Sequence, residues 1–431
     1  MKRKTVDAFV IGMALFSMFF GAGNLIFPPY LGMTSGPQWL IGFLCFFMAD
    51  IGLAFATIVA MINSNGHMSE VTGPLGRVPS LLVNIAIILC IGPLFATPRT
   101  AATTFEMFVV PVTGAGGFAA SLISSAVYFA VVVLLTIRST KVVDILGKIL
   151  TPFLFIGLIV LITVGVAAPL GPVISQPMIG NVVKEGIVAG YQAMDVFGGL
   201  VFAIIIVSAV QRRGYSKDED KIGVCAMACA ITGIGLFLVY GGLTYLGATA
   251  STMYGMDVNR AQLLVQVTQR LLGQGGVMLL GVVVALACLT TAIGLTASAA
   301  AYFEELTNGK LKYKHMVIAL ASLSLLVANL GLSKIISIAV PVLSLLYPSI
   351  LVLVFLSLFK TKITNPYIHR SAALVALAVS CCGVLNDLGA PVAFTQALPL
   401  AEYGLQWVAP SLIAGVIGAF IPQKTLALNP E

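Results

Sequence analysis

The chain has 431 residues, of which 59% are hydrophobic and only 9% are charged, and its mean hydropathy is +1.05. These values exclude an ordinary soluble globular domain and indicate a polytopic helical membrane protein. The formal net charge is +7. Because the basic residues lie in short loops between apolar stretches, this charge indicates orientation in a lipid bilayer and not binding of nucleic acid.

Twelve apolar stretches approach the length of about 20 residues that a helix needs to cross the hydrocarbon core of a bilayer. We predict transmembrane helices at residues 6 to 33, 38 to 62, 80 to 110, 120 to 137, 143 to 168, 186 to 210, 221 to 248, 274 to 301, 316 to 330, 333 to 359, 371 to 386 and 407 to 422. The first stretch is too long for the apolar region of a cleaved signal peptide, so we expect it to remain as a membrane helix.

The basic residues fall mostly on one side of these predicted spans, which predicts a cytoplasmic N-terminus because positively charged loops stay in the cytoplasm. The residues placed inside are Lys2, Arg3, Lys4, Arg77, Arg138, Lys141, Lys148, Arg212, Arg213, Lys217, Lys221, Lys310, Lys312, Lys314, Lys360, Lys362, Arg370 and Lys424. Those placed outside are Lys184, Arg260, Arg270 and Lys334, while Arg99 lies within a span.

The first span contains two glycines and a polar residue in the middle of its apolar run, at Gly21, Gly23 and Asn24. This pattern predicts a broken transmembrane helix. Backbone groups freed by a break cannot face lipid, so they must be buried in protein or line a solvated cavity. The alternative interpretation is a simple kink without functional consequence.

The sixth span carries a similar interruption, predicted at residues 194 to 199, where Asp195 precedes Gly198 and Gly199. A repeat of five spans has an odd number of crossings, so its second copy starts from the opposite face of the bilayer and is inverted. Paired breaks in inverted repeats indicate the central site of a secondary transporter. We expect one transport domain over residues 1 to 431, with repeats at 6 to 168 and 186 to 359 and two additional helices within 371 to 422.

Four motifs resemble the signatures of the bacterial branched-chain amino-acid:cation symporter family. They are FFGAGNLIFPP at 19 to 29, GPLFATPRT at 92 to 100, ACLTTAIGLT at 287 to 296 and VANLGLS at 327 to 333. The resemblance covers essentially the whole chain. It implies uptake of leucine, isoleucine and valine across a bacterial cytoplasmic (inner) membrane, driven by a cation gradient. It also implies the all-helical, leucine-transporter-like fold of five plus five inverted helices, with helices 1 and 6 broken.

An amino acid brings a carboxylate and an ammonium group into this site, and each needs a partner there. Free amides at the start of the second half-helix suit the carboxylate. Carbonyls at the end of the first half-helix and around residues 195 to 197 suit the ammonium, as does Asp195 itself, which could instead cap its helix. Apolar residues there could hold the aliphatic side chain or simply pack. The predicted substrate residues are Phe19, Gly21, Ala22, Gly23, Asn24, Asp195, Val196, Phe197 and Gly198.

For the coupling ion, the eighth span places Ala287, Thr290 and Thr291 on one helical face, because their relative spacings are zero, three and four. Sodium-coupled transporters of this fold imply two further carbonyl ligands, here Ser17 and Phe20. Threonine hydroxyls also often bond back to their own helix, which leaves an alternative. Sodium is the expected coupling ion and a proton the alternative; no cofactor and no obligate protein partner are indicated.

Charged residues elsewhere in the apolar spans have simpler interpretations. Arg99 and Glu106 are seven positions apart, so mutual neutralisation on one helical face is the plainer expectation, and a functional role of these intramembrane charges is the alternative. Asp50 and Asp387 are expected to be solvated. A membrane enzyme would need a clustered catalytic constellation, and a channel would need a continuous pore. The main rival hypothesis is a proton-coupled symporter, or an exchanger, of another neutral amino acid.

Overall fold

The computed structural model describes residues 2–64, 67–137, 151–215, 218–360, 362–390 and 392–422. Within this part of the chain all regular structure is helical. The α-helices are α1 (Lys2–Phe19), α2 (Ala22–Ser35), α3 (Trp39–Phe47), α4 (Leu53–Asn63), α5 (Met68–Thr72), α6 (Arg77–Leu89), α7 (Ala96–Thr104), α8 (Val110–Thr113), α9 (Phe118–Thr136), α10 (Thr151–Ala167), α11 (Val182–Ala193), α12 (Asp195–Arg212), α13 (Asp218–Thr249), α14 (Arg260–Leu306), α15 (Tyr313–Ala328), α16 (Leu332–Leu358), α17 (Pro366–Asp387) and α18 (Val408–Ala419).

The predicted spans coincide with these helices. Eight helical stretches are long and apolar enough to cross a membrane, and α10, α15 and α18 are shorter apolar helices. The fifth predicted span is described only from residue 151 onward, since residues 143 to 150 lie outside the described part of the chain. The chain is therefore a multi-pass helical membrane protein.

Both predicted helix breaks are present. α1 ends at Phe19 and α2 begins at Ala22, while α11 and α12 are separated at Met194, whose φ of 72° is left-handed. The second break is narrower than the predicted interval of 194 to 199, because the helix resumes at Asp195. A left-handed non-glycine residue is uncommon in proteins and marks a constrained position.

The second and third spans contain irregularities that were not predicted. In the third, a π-helical segment at Cys90–Leu94 precedes α7, and Gly92 there has a non-helical ψ of −115° next to Pro93, which cannot donate a backbone hydrogen bond. In the second, the π-helical segment Met48–Gly52 joins α3 to α4 without a break. Such segments insert an extra residue into a turn and rotate the side chains that follow.

One compact unit comprises residues 1–58 and 86–339. In it α2 packs closely on α13 through two glycines: a β-carbon at Gly32 would lie 1.8 Å from the Thr244 carbonyl oxygen, and one at Gly247 would lie 1.8 Å from the Pro29 carbonyl oxygen. Small residues at crossings let membrane helices approach at backbone distance. α14 runs past both broken helices and contacts α1, α2 and α12.

A second compact unit comprises residues 59–85 and 340–431. In it the last two helices, α17 and α18, pack on each other, and the Ser371 hydroxyl donates to the Ala414 carbonyl at 2.7 Å. The Arg370 side chain donates to the Pro74 carbonyl at 2.6 Å, and Lys360 pairs with Glu70. The first contact joins α17 to the segment that follows α5, and the second joins the end of α16 to α5.

Candidate functional site

A small cavity of about 20 Å³ lies where the two broken helices meet. Its wall includes seven of the nine predicted substrate residues: Phe19, Gly21, Ala22, Gly23, Asn24, Asp195 and Gly198. The other two, Val196 and Phe197, are fully buried but lie outside the wall. Because this volume holds about one water molecule, an amino acid can enter only if the surrounding helices move apart.

The start of α2 presents unpaired backbone donors to this cavity. Gly21, the residue before the helix, has extended backbone angles and makes no side-chain capping bond, and the first helical hydrogen bond runs from the Leu25 amide to the Gly21 carbonyl. The amides of Ala22, Gly23 and Asn24 therefore precede the helical ladder. A helix N-terminus of this kind attracts an anion through its free N–H groups and its dipole.

Asn24 joins the two breaks. Its Nδ2 atom donates to the Phe19 carbonyl at 2.9 Å and to the Asp195 carboxylate at 2.7 Å, and it also lies against the Tyr240 hydroxyl. The Asp195 carboxylate thus faces the first break and makes no capping bond to its own helix. The acceptors predicted for an ammonium group, at Phe19 and Asp195, lie together and are bridged by this single amide nitrogen.

Arg99 also lines the cavity, which the sequence did not predict. It donates to the Gln192 carbonyl at 2.7 Å and to the Ala193 carbonyl at 3.2 Å, at the end of α11. A guanidinium group there satisfies carbonyls that lack helical partners and meets the negative end of the helix dipole. The expected pairing with Glu106 is wrong: among the described residues Glu106 lies by Asn259 and the Leu332 backbone.

The expectation that Asp50 is solvated is also wrong. Its side chain is fully buried, where the sequence suggested solvation, and it lies beside Asp195 and Tyr240. The π-helical segment Met48–Gly52 contains Asp50, and the helix continues through it to Asn63. Asp387, at the end of α17, is exposed as expected.

Four of the five predicted ion ligands form one hydrogen-bonded group. The Thr290 hydroxyl lies 2.9 Å from the carbonyls of both Ser17 and Ala287, and the Thr291 hydroxyl lies 3.3 Å from the Ser17 carbonyl. The second carbonyl at Thr291 is that of Met18, at 3.0 Å. The fifth predicted ligand, Phe20, stacks its ring on Tyr240.

These neutral oxygens link α14 to the end of α1, so the alternative of threonines bonded only within their own helix does not hold for Thr290 or Thr291. Hydroxyl and carbonyl oxygens are ligands of hard cations such as sodium. The group also borders the cavity, because a β-carbon at Gly21 would lie 2.8 Å from the Thr291 hydroxyl oxygen. An ion held there would contact the same break that offers its amides to an anion.

The family model described as "Branched-chain amino acid transport protein" matches residues 4–425. The chain belongs to this family. Curated members include the branched-chain amino acid transport system 2 carrier protein of Pseudomonas aeruginosa, which is 40% identical to this chain over 96% of it and 95% of that protein. The branched-chain amino acid permeases BrnQ of Bacillus subtilis and Escherichia coli K12 are 35% and 34% identical, over 95% of this chain and 95% and 94% of those proteins. Members of the family are carriers, so this chain is a transporter and not an enzyme.

Two solved structures share the fold at low sequence identity. The nucleobase-cation-symport-1 family transporter Mhp1, in a closed conformation with bromovinylhydantoin bound, aligns with a TM-score of 0.61 at 15% identity, over 95% of this chain and 90% of that one. A substrate-bound, outward-open sodium-coupled sialic acid symporter aligns with a TM-score of 0.64 at 14% identity, over 98% of this chain and 91% of that one. The fold is therefore the leucine-transporter-like arrangement of five plus five inverted helices, with helices 1 and 6 broken.

Proposed function

We propose that this protein carries leucine, isoleucine and valine into the cell together with sodium, by alternating access around the cavity between the two broken helices. The observation that carries the proposal is the meeting of three features at one cavity: free helix amides, a cluster of buried acceptors and a group of neutral oxygens. Membership of the family supports the substrate class, and the basic loops support a cytoplasmic N-terminus in a bacterial inner membrane.

The carboxylate of the substrate binds the amides of Ala22, Gly23 and Asn24. No side chain has to supply the positive charge there, because the helix N-terminus provides donors that are already fixed in place. The ammonium group takes acceptors that Asn24 bridges in the closed protein, namely the Phe19 carbonyl and the Asp195 carboxylate. When the cavity opens, the Asn24 side chain therefore releases these two acceptors, and the ammonium group of the substrate donates to them instead.

The aliphatic side chain of the substrate extends toward the apolar part of the cavity wall. Phe202, Leu295 and Ile91 lie on this wall, and they were not among the residues predicted from the sequence. An apolar wall distinguishes leucine, isoleucine and valine only weakly from one another, since one methylene group is worth about 1 to 3 kcal/mol. It excludes a charged side chain more strongly, because burying a second charge against apolar residues carries a large desolvation cost.

Sodium binds the oxygens of Ser17, Ala287, Thr290 and Thr291, with the Phe20 carbonyl as the fifth predicted ligand. In the closed protein the two threonine hydroxyls donate to carbonyls, and an ion would turn both hydroxyl oxygens toward itself. Because the ion connects α14 to the end of α1, its binding stabilises the geometry of the break that holds the substrate. Sodium and substrate are then coupled, and each raises the affinity for the other.

Uptake of radiolabelled leucine into liposomes that contain the purified protein tests the proposal. A sodium gradient and a proton gradient are imposed separately, with and without a membrane potential. Uptake driven by sodium alone supports the proposal, and uptake driven only by a proton gradient supports the rival mechanism. Uptake that follows neither gradient but requires an internal amino acid identifies an exchanger.

A further inference from the structure

Asp50 and Asp195 place two carboxyl groups side by side in the interior of the protein. They come from different helices, and their side chains are close neighbours of each other and of the Tyr240 hydroxyl. Asp195 accepts from Asn24, but neither carboxylate oxygen of Asp50 has a hydrogen-bond donor among the described residues. Asp50 has no exposed surface. An unpartnered buried carboxylate is costly, so its environment requires explanation.

The charged groups around Asp50 and Asp195 do not balance if both carboxyls are ionised. In the described part of the chain, the charged and titratable groups that face the two carboxyls are Arg99 and Tyr240. Two carboxylates and one guanidinium carry one net negative charge. An isolated charge in the interior of a membrane protein is expensive, and two carboxylates in contact do not both ionise readily.

We propose that Asp50 and Asp195 share one proton in the sodium-free protein. The proton resides on Asp50, whose O–H donates to the Asp195 carboxylate, while Asn24 donates to the same carboxylate from the other side. This arrangement supplies the missing partner of Asp50, removes the net charge and needs no group other than a proton taken from water. Asp195 stays ionised and faces the cavity.

The shared proton should oppose sodium binding. Thr291 and Asp195 both line the same small cavity, so an ion at Thr291 adds a positive charge close to the carboxyl pair. The pair then favours loss of its proton, and by reciprocity a bound proton weakens sodium binding. This consequence rests on the proposed function, whereas the shared proton itself does not.

Infrared spectroscopy of the purified protein near neutral pH, without sodium or substrate, tests the proton directly. Exposed carboxyl groups are ionised at that pH, so a protonated-carboxyl band shifted in D₂O reports a buried acid. We expect this band in the parent and, undiminished, in Asp387→Asn, a control at an exposed position. In Asp50→Asn we expect the band to weaken by the contribution of one carboxyl, while any contribution of the half-buried Glu106 remains. In Asp50→Asn the amide retains a donor toward Asp195, so the fold should persist. A parent without the band, or an Asp50→Asn protein whose band is undiminished, overturns the proposal.

Sodium binding at several pH values provides the second measurement. Its main result comes from the parent protein alone and does not depend on whether a variant folds. Over the pH range in which one proton competes with sodium, we expect the apparent sodium affinity of the parent to fall by up to about tenfold for each unit by which the pH is lowered. Asp50→Asn should lose this dependence. If the carboxyl pair holds a second sodium instead of a proton, Asp50→Asn lowers the number of bound sodium ions and the proposal fails. A parent that shows the infrared band but binds no sodium refutes the proposed coupling and leaves the proton in place.

Discussion

Arg99 lies directly against Gly23: a β-carbon at position 23 would be 2.8 Å from Nη2 of Arg99 and 3.3 Å from the Cα of Ala193. The same guanidinium group holds the last carbonyls of α11. The start of α2 and the end of α11 therefore meet across one side chain. A positive helix end, a negative helix end and a cation therefore lie at the same small cavity.

Gly23→Val should abolish substrate binding while leaving membrane insertion intact. The new β-carbon must displace Arg99 and would also cover the amides at the start of α2. Leucine binding to purified protein, measured by scintillation proximity or calorimetry, should fall at least tenfold. Gly223→Val is the matched control, since a β-carbon there meets nothing within 4 Å. Binding by Gly23→Val within a few-fold of the parent would mean that the carboxylate does not use these amides.

Arg99→Lys should reduce both stability and transport. Lysine keeps the charge but cannot donate to two carbonyls in the fixed geometry of a guanidinium group. Loss of one charge-assisted hydrogen bond costs about 1.5 to 3 kcal/mol, so we expect a lower melting temperature and at least a tenfold loss of leucine uptake. Arg270→Lys, at an exposed position on α14, should change neither. Parent-like melting and uptake in Arg99→Lys would show that a positive charge at position 99 supports stability and transport without the paired hydrogen bonds to α11.

The breaks could be predicted from the sequence because their cause is local. Glycines beside a polar residue in the middle of an apolar run weaken a membrane helix wherever it packs. The threonine group was also accessible, because spacings of three and four place side chains on one face of any helix. The partner carbonyls at the end of α1 came from resemblance to a family, and one of them, Met18, was missed.

The surroundings of Asp50 and Arg99 could not be predicted from helical periodicity in the sequence. Asp50 lies within a π-helical segment, where the rotation of side chains departs from the regular helical period. Pairing Arg99 with Glu106 assumes a continuous helix, but π-helical segments at Cys90–Leu94 and Phe105–Val109 flank α7. Its actual partners, on α11, are more than ninety positions away. Such pairings depend on tertiary packing that a single sequence does not encode in local patterns.

The substrate site should accept leucine, isoleucine and valine and reject lysine and glutamate. A second charge would be buried against the apolar wall formed by Phe202 and Leu295, at a large desolvation cost. In competition assays, excess isoleucine or valine should suppress labelled leucine uptake, while lysine and glutamate should leave it almost unchanged. Suppression by lysine as strong as that by isoleucine would rule out an apolar side-chain pocket at this wall.

Thr291→Ala should raise the sodium concentration required for half-maximal uptake. The hydroxyl of Thr291 lies 3.0 Å from the Met18 carbonyl and 3.3 Å from the Ser17 carbonyl, so its loss removes one of the proposed ion ligands. Loss of a buried polar partner costs about 1 to 3 kcal/mol, which predicts a sodium affinity weaker by about tenfold or more. Leucine affinity should recover substantially when sodium is saturating, because the coupling of the two ligands is reciprocal.

Two further variants separate this effect from general damage to α14. Thr291→Ser keeps the oxygen and should be mild. Thr268→Ala removes a buried hydroxyl from the part of α14 that precedes its kink at Gly273, and this hydroxyl bonds to the Leu264 carbonyl one turn earlier, so the change should leave the sodium requirement unchanged. Leucine binding measured against sodium concentration for all three proteins decides the matter. A Thr291→Ala protein with an unchanged sodium requirement would remove the ion from this helix and favour proton coupling through Asp195.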